Sequence, residues 1–179
     1  MPYSIVDLRE YGFVGVVPFP EWSKADIVGL GGPDVEGVYS VVRENTTVPI
    51  FTDDVRPATR RRTRTAAEAA SLWVPGVQVL YFGRAPLRRA SGNGRRSGLA
   101  QRIHEYKRHG LSGGSNHHGG KLVWQISDSD ALRIAWKMLP EGESKQIESG
   151  LISGFKKTMG QPPFANTGAP QRDVPPIFL

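Results

Sequence analysis

Along this chain of 179 residues the spacing of apolar positions changes several times. Ser4 precedes a short helical stretch over residues 4–13 that ends near Gly12. Gly29, Gly31, Gly32 and Pro33 make residues 29–36 a turn-rich entry. Gly37–Arg43 then reads as a strand, because Val38, Tyr39, Val41 and Val42 are β-branched or aromatic. A long insertion leads to a brief helix over Ala66–Leu72, and Gly76 punctuates before a second strand, Val77–Gly83. Residues 90–97 are too polar to pack. Leu99, Ile103 and Tyr106 form one stripe of a helix over Leu99–His109. Five glycines between Gly110 and Gly120 make the next stretch a connection.

Lys121–Ile126 and Leu132–Leu139 read as strands joined in a hairpin around Asp128-Ser129-Asp130; in the second, Leu132, Ile134, Trp136 and Met138 alternate with polar or small residues. A last helix over Ser144–Met159 buries Ile147, Leu151, Ile152 and Phe155, and the prolines from Pro162 onward exclude regular structure after it. Helices mixed with hairpin strands predict an α+β domain rather than a wound parallel sheet. The expected organisation is an N-terminal extension (1–36) packed on the core, one domain (37–166) with an insertion at about 44–76 between its first two strands, and a Pro-rich tail (167–179).

Composition narrows the chemistry. The chain has no cysteine, which excludes disulfides, zinc ribbons, iron–sulfur clusters and thiol catalysis. Apolar residues at 39% and charged residues at 22% match a globular domain, so a packed core is expected. No apolar run nears the roughly 20 residues of a membrane span, and Met1-Pro2-Tyr3-Ser4 opens no signal-peptide pattern. A soluble, cytoplasmic protein with no membrane partner is the expectation.

Charge is concentrated. Arg56, Arg60, Arg61, Arg62 and Arg64 place net +5 in nine residues, and Arg84 to His109 carries net +7, against a whole-chain charge of +6. An acidic body with two Arg-rich segments predicts a polyanion partner, since guanidinium forks match phosphate oxygens.

Three familiar arrangements fail. His117-His118 cannot readily chelate one ion, because adjacent residues of an extended chain point apart. The glycine-rich run from Gly92 to Gly98 has no following Gly-Lys-Ser/Thr, and no Gly-x-Ser-x-Gly elbow occurs.

What remains is a set of tyrosines, an arginine, a glutamate and an asparagine. Gly37-Val38-Tyr39 on the first strand and Tyr81-Phe82-Gly83 ending the second are followed by Arg102 with Tyr106 one turn on, Glu148 before Leu151-Ile152, and Asn166 after Pro163-Phe164-Ala165. In that order these elements resemble the GIY-YIG nuclease family over residues 37–166, and His118–Gln125 resembles a strand of its restriction-type branch. The gap between the two tripeptides is unusually long, and Arg84 stands where the family often has lysine.

The resemblance implies a small antiparallel sheet flanked by helices, and a metal-dependent DNA endonuclease of restriction- or phage-defence-like type. Glu148 would hold Mg²⁺ or Mn²⁺, Arg102 the scissile phosphate, Tyr39 the proton of the attacking water and Tyr81 its orientation. Tyr106 and Asn166 complete the implied site. Arg60, Arg61, Arg62, Arg64, Arg84, Arg95, Arg96, Lys107 and Arg108 are the expected DNA contacts. One metal carboxylate per chain implies a homodimer if both strands are cut. The alternative from another class is a nucleic-acid-binding protein that keeps the fold without cleaving; a third is a partner of acidic protein.

Overall fold

A computed structural model describes residues 2–24, 26–27, 35–53, 64–89, 96–112, 121–167 and 174–179. Arg60, Arg61, Arg62, Arg95, His117 and His118 lie outside the described residues, as does the Arg96 side chain.

The protein is α+β. Four strands, β1 (Val14–Pro18), β2 (Glu36–Val42), β3 (Val79–Ala85) and β6 (Arg133–Leu139), form one antiparallel sheet in the order β1-β6-β2-β3. A two-residue ladder pairs β4 (Arg88–Arg89) with β5 (Arg96–Ser97). The helices are α1 (Ile5–Glu10), α2 (Ala66–Ala70), α3 (Leu99–Ser112) and α4 (Ser144–Met159).

Side-chain alternation on β2 sorts the core into two layers. Tyr39 and Val41 join Tyr81, Leu99, Ile103, Tyr106 and Trp124 in one buried cluster, which α3 covers. Val38 and Val42 join Leu8, Phe82, Leu151, Ile152 and Phe155 in the other, covered by α1 and α4. Helix ends are set locally. Ser4 with Asp7 and Thr65 with Glu68 form reciprocal capping boxes, which satisfy amides that a first helical turn leaves open. Gly160, at φ +79°, ends α4 in the left-handed region that a side chain disfavours.

Two sequence expectations are corrected. Lys121–Gln125 is a 3₁₀ helix rather than a strand, and Ser129–Ala131 is a second 3₁₀ turn, so there is no hairpin. Leu122, Val123, Trp124 and Gln125 are all buried, whereas a strand with one solvated face would alternate. The Gln125 amide donates to the carbonyls of Thr52 and Arg64, tying this turn to the insertion, and β6 pairs instead with β1 and β2.

Of the four strands of the main sheet, β1 is the one that sequence patterning did not reveal; the short β4–β5 ladder, with β5 in a stretch read as a polar loop, was not revealed either. The β1 register slips between Gly15 and Val17, with Gly15 and Val16 both at positive φ, and such a bulge destroys the period of two. A Cβ at Gly15 would run into the Trp136 ring. Residues 174–179 have no regular structure, as the prolines require, but they dock on α4: the Ile177 amide donates to the Gly150 carbonyl at 2.9 Å.

Candidate active site

Antiparallel register sets Tyr39 opposite Gly83. A Cβ at residue 83 would stand 2.6 Å from the Tyr39 hydroxyl oxygen, so the glycine of Tyr81-Phe82-Gly83 makes room for the tyrosine of the neighbouring strand. The ring centroids of Tyr39 and Tyr81 lie 5.9 Å apart, and Tyr106 of α3 completes a triangle at 5.9 Å from Tyr39 and 5.8 Å from Tyr81. Tyr39 and Tyr106 are fully buried; Tyr81 keeps 7% of its surface.

Burial pushes all three phenols up. The Tyr39 and Tyr81 hydroxyls are hydrogen-bonded to each other, a bond that raises Tyr39 and lowers Tyr81. Arg102 and Arg84 also act to lower Tyr81, while Glu148 raises it. Of the two strand tyrosines, Tyr81 is the one better placed to carry negative charge.

β3 links this cluster to α4. Past Tyr81 and Gly83, Arg84 sets its Nε 3.0 Å from Glu148 Oε2; the Glu148 side chain is 20% exposed and that of Arg84 39%. Burial pushes the Glu148 carboxyl up to about 7, although Arg84 and Arg102 pull it down. A contact of 3.0 Å to a guanidinium is that of an ionised carboxylate, so the pair is complete above neutral pH. On α3, Arg102 Nη1 reaches Glu105 at 3.4 Å, while its Nε is buried and has no hydrogen-bond partner among the described residues. A buried donor of that kind is costly unless a ligand completes it.

Asn166 has a different place. Its amide accepts from the Phe82 amide at 2.9 Å and donates to the Phe82 carbonyl at 2.8 Å, and the Ala165 amide donates to Leu80. It clamps β3 between Tyr81 and Gly83 as a neighbouring strand would, and is a positioning residue. Lys107 gives two of its donors to the carbonyls of Pro20 and Trp22, while Arg64 and Arg108 are exposed. Glu36, which sequence reasoning passed over, accepts the amides of Leu87, Gly142 and Ser144 and so ties β2 to the start of α4.

Tyr39, Tyr81, Arg84, Arg102, Tyr106 and Glu148 thus converge from β2, β3, α3 and α4. Among the described residues, no group of three or more His, Asp or Glu side chains is arranged to hold a metal, and no helix is long and apolar enough to cross a membrane. Comparison with protein-family models, with characterised proteins and with solved structures finds no match.

Proposed function

We propose that the chain is a divalent-metal-dependent endonuclease of GIY-YIG type that hydrolyses DNA phosphodiesters, in a cytoplasmic restriction- or phage-defence-like setting and as a homodimer. The carrying observation is the convergence of Tyr39, Tyr81, Arg102 and Glu148, spread over more than a hundred residues, around one point of β3. Packing alone asks for none of these identities. An apolar core has no use for a carboxylate held near pKa 7 beside an arginine with an orphaned donor.

One carboxylate fits a hard cation that keeps most of its shell as water and phosphate oxygens, as Mg²⁺ does. Glu148 is the residue to hold it. Bound there, the cation supplies a Lewis acid that offsets charge on the phosphate. Arg102, with Nη1 on Glu105, would offer its Nε side to the same phosphate, where charge develops as the nucleophile enters. Tyr81, with its residual exposure, would lose its own proton to solvent and, as phenolate, take the proton of the attacking water, while the P–O bond to the leaving oxygen breaks and that oxygen is protonated from solvent. Tyr39 stands behind Tyr81 and donates to the phenolate through the shared hydrogen bond. That assignment moves the proton acceptor from Tyr39 to its partner. Because burial raises both phenols, the transfer depends on positive charge from Arg102, Arg84 and the cation. Arg64 and Arg108, both exposed, would contact phosphates outside the site.

Incubation with supercoiled plasmid, linear duplex and RNA in Mg²⁺, Mn²⁺ or EDTA tests the reading. Metal-dependent nicking or linearisation that is lost in Glu148→Gln supports it. Salt-sensitive DNA binding with no cleavage under any metal rejects it in favour of a binding protein that retains the site's frame.

A further inference from the structure

The guanidinium of Arg84 is not turned out toward a backbone phosphate; it lies on Glu148. Three features make this pair replaceable. The Arg84 side chain is 39% exposed, so leaving the carboxylate returns it to water at small cost. The Arg84 main-chain amide also donates to Glu148, so the carboxylate keeps its aim when the guanidinium departs. Arg102 is close enough to act on both Glu148 and Tyr81, and its buried Nε has no acceptor among the described residues.

A carboxylate with only a fifth of its surface in water is poorly stabilised as a lone anion and needs a counter-ion at rest. A divalent cation arriving on the same oxygens carries twice the charge of a guanidinium and repels it. Planar guanidinium forks suit phosphate at least as well as carboxylate.

We propose that Arg84 is the resident counter-ion of Glu148, which a divalent cation displaces and which then turns to the substrate phosphate; this rests on the reading of Glu148 as the metal ligand. Arg84 thereby links loading to binding: the metal-free protein has one phosphate contact occupied, and cation binding frees it. By reciprocity, DNA tightens the cation and the cation tightens DNA.

Binding of Mn²⁺ without DNA, followed by the electron paramagnetic resonance of the free ion, separates the possibilities in the full chain. Arg84→Met removes the competitor and is expected to bind Mn²⁺ about fivefold more tightly, the scale of one partly exposed ion pair. The same variant should bind DNA more weakly than wild type with Ca²⁺ present. Arg102→Met removes an equal charge that is not on the carboxylate, and should change Mn²⁺ affinity by no more than about twofold. Arg84→Lys, for use if the Met variant misfolds by circular dichroism, keeps the charge without the fork and should fall between. Equal or weaker Mn²⁺ binding by a folded Arg84→Met overturns the exchange, as does an equal gain in Arg102→Met, which would make the effect a general field. If Glu148→Gln binds Mn²⁺ as wild type does, the metal site itself is wrong; if it loses Mn²⁺ while Arg84→Met is unchanged, only the exchange fails.

Discussion

Among the arginine–carboxylate pairs of the protein, Arg43–Asp128 and Arg84–Glu148 are built differently. Arg43, just past β2, is 5% exposed and encloses Asp128: Nε lies 3.1 and 2.9 Å from the two carboxylate oxygens and Nη2 2.8 Å from one of them. Its Nη1 donates to the carbonyls of Asn45 and Thr47, and the guanidinium packs over Trp73. Each nitrogen of that guanidinium has a partner, so the pair fastens the start of the insertion to the turn before β6. Arg84 meets Glu148 through Nε, its side chain more than a third exposed and its carboxylate pushed up to about 7. A guanidinium held as Arg43 is has little left to give a ligand, although Asp128 keeps an exposed side. The incomplete pair, next to an orphaned Arg102 Nε, is where a ligand gains most.

Glu148→Gln separates site from scaffold most sharply. It preserves volume and removes the charge that a hard cation needs, so single-turnover cleavage should fall by about a thousandfold or more. Folding stability should not fall, because burial disfavours the ionised carboxylate. Wild-type cleavage by a folded Glu148→Gln would end the assignment of Glu148.

Next in size is the tyrosine pair. Tyr81→Phe should slow single-turnover cleavage on prebound DNA by about a hundredfold, the scale of a general base. Tyr39→Phe keeps the ring that Gly83 accommodates and loses the supporting hydrogen bond, so its defect should be about tenfold, the worth of one charge-assisted bond. The reverse ranking would return proton transfer to Tyr39. On the other ion pair, Arg43→Met should lower unfolding free energy by about 2 kcal/mol, since it strands carbonyls and a carboxylate that is itself partly exposed. Urea denaturation measures that loss, and Mn²⁺ affinity should not move. A shift in Mn²⁺ affinity would mean that the two pairs are coupled.

How far this contrast was legible in sequence differs by residue. β6 and α4 follow from period, β2 from its β-branched and aromatic run, β3 from the punctuation at Gly76, and the two tyrosine tripeptides from their place at strands. Gly83 even carries a trace of the geometry, since a glycine in a β-branched, aromatic run signals close approach. The bulged β1 and the 3₁₀ turn at Lys121–Gln125 were not legible, because local apolar runs there do not fix a period and tertiary contacts from Arg64 and Trp136 decide. Nor could sequence show that Arg84 faces Glu148 or that Lys107 serves two carbonyls. A cation's sequence position gives its charge, not its partner.

A gradual effect, smaller per pH unit than any substitution above, tests the contrast through pH. Two carboxylates meet α4: Glu36 at its first residue and Glu148 one turn in. Burial raises Glu36, but hydrogen bonds from Ser144, Gly142 and Leu87 outweigh it and leave that carboxyl below its usual value. Glu36 therefore contributes stability that is present above the unfolded pKa and lost as pH falls. Glu148, pushed up to about 7 from 4.5, behaves in the opposite sense. Between those values the native state holds a proton that the unfolded chain has released, so this contribution is complete below pH 4.5 and lost as pH rises through about 7. The slope approaches about 1 kcal/mol per pH unit at most, and it lies at higher pH than the loss from Glu36. Subtracting the stability–pH curve of Glu148→Gln from that of wild type cancels Glu36 and leaves Glu148 alone. The difference should decline from pH 5 to pH 7 and flatten above; parallel curves would show that Glu148 is as well satisfied as Glu36, leaving the sheet with two structural carboxylates and no poised one.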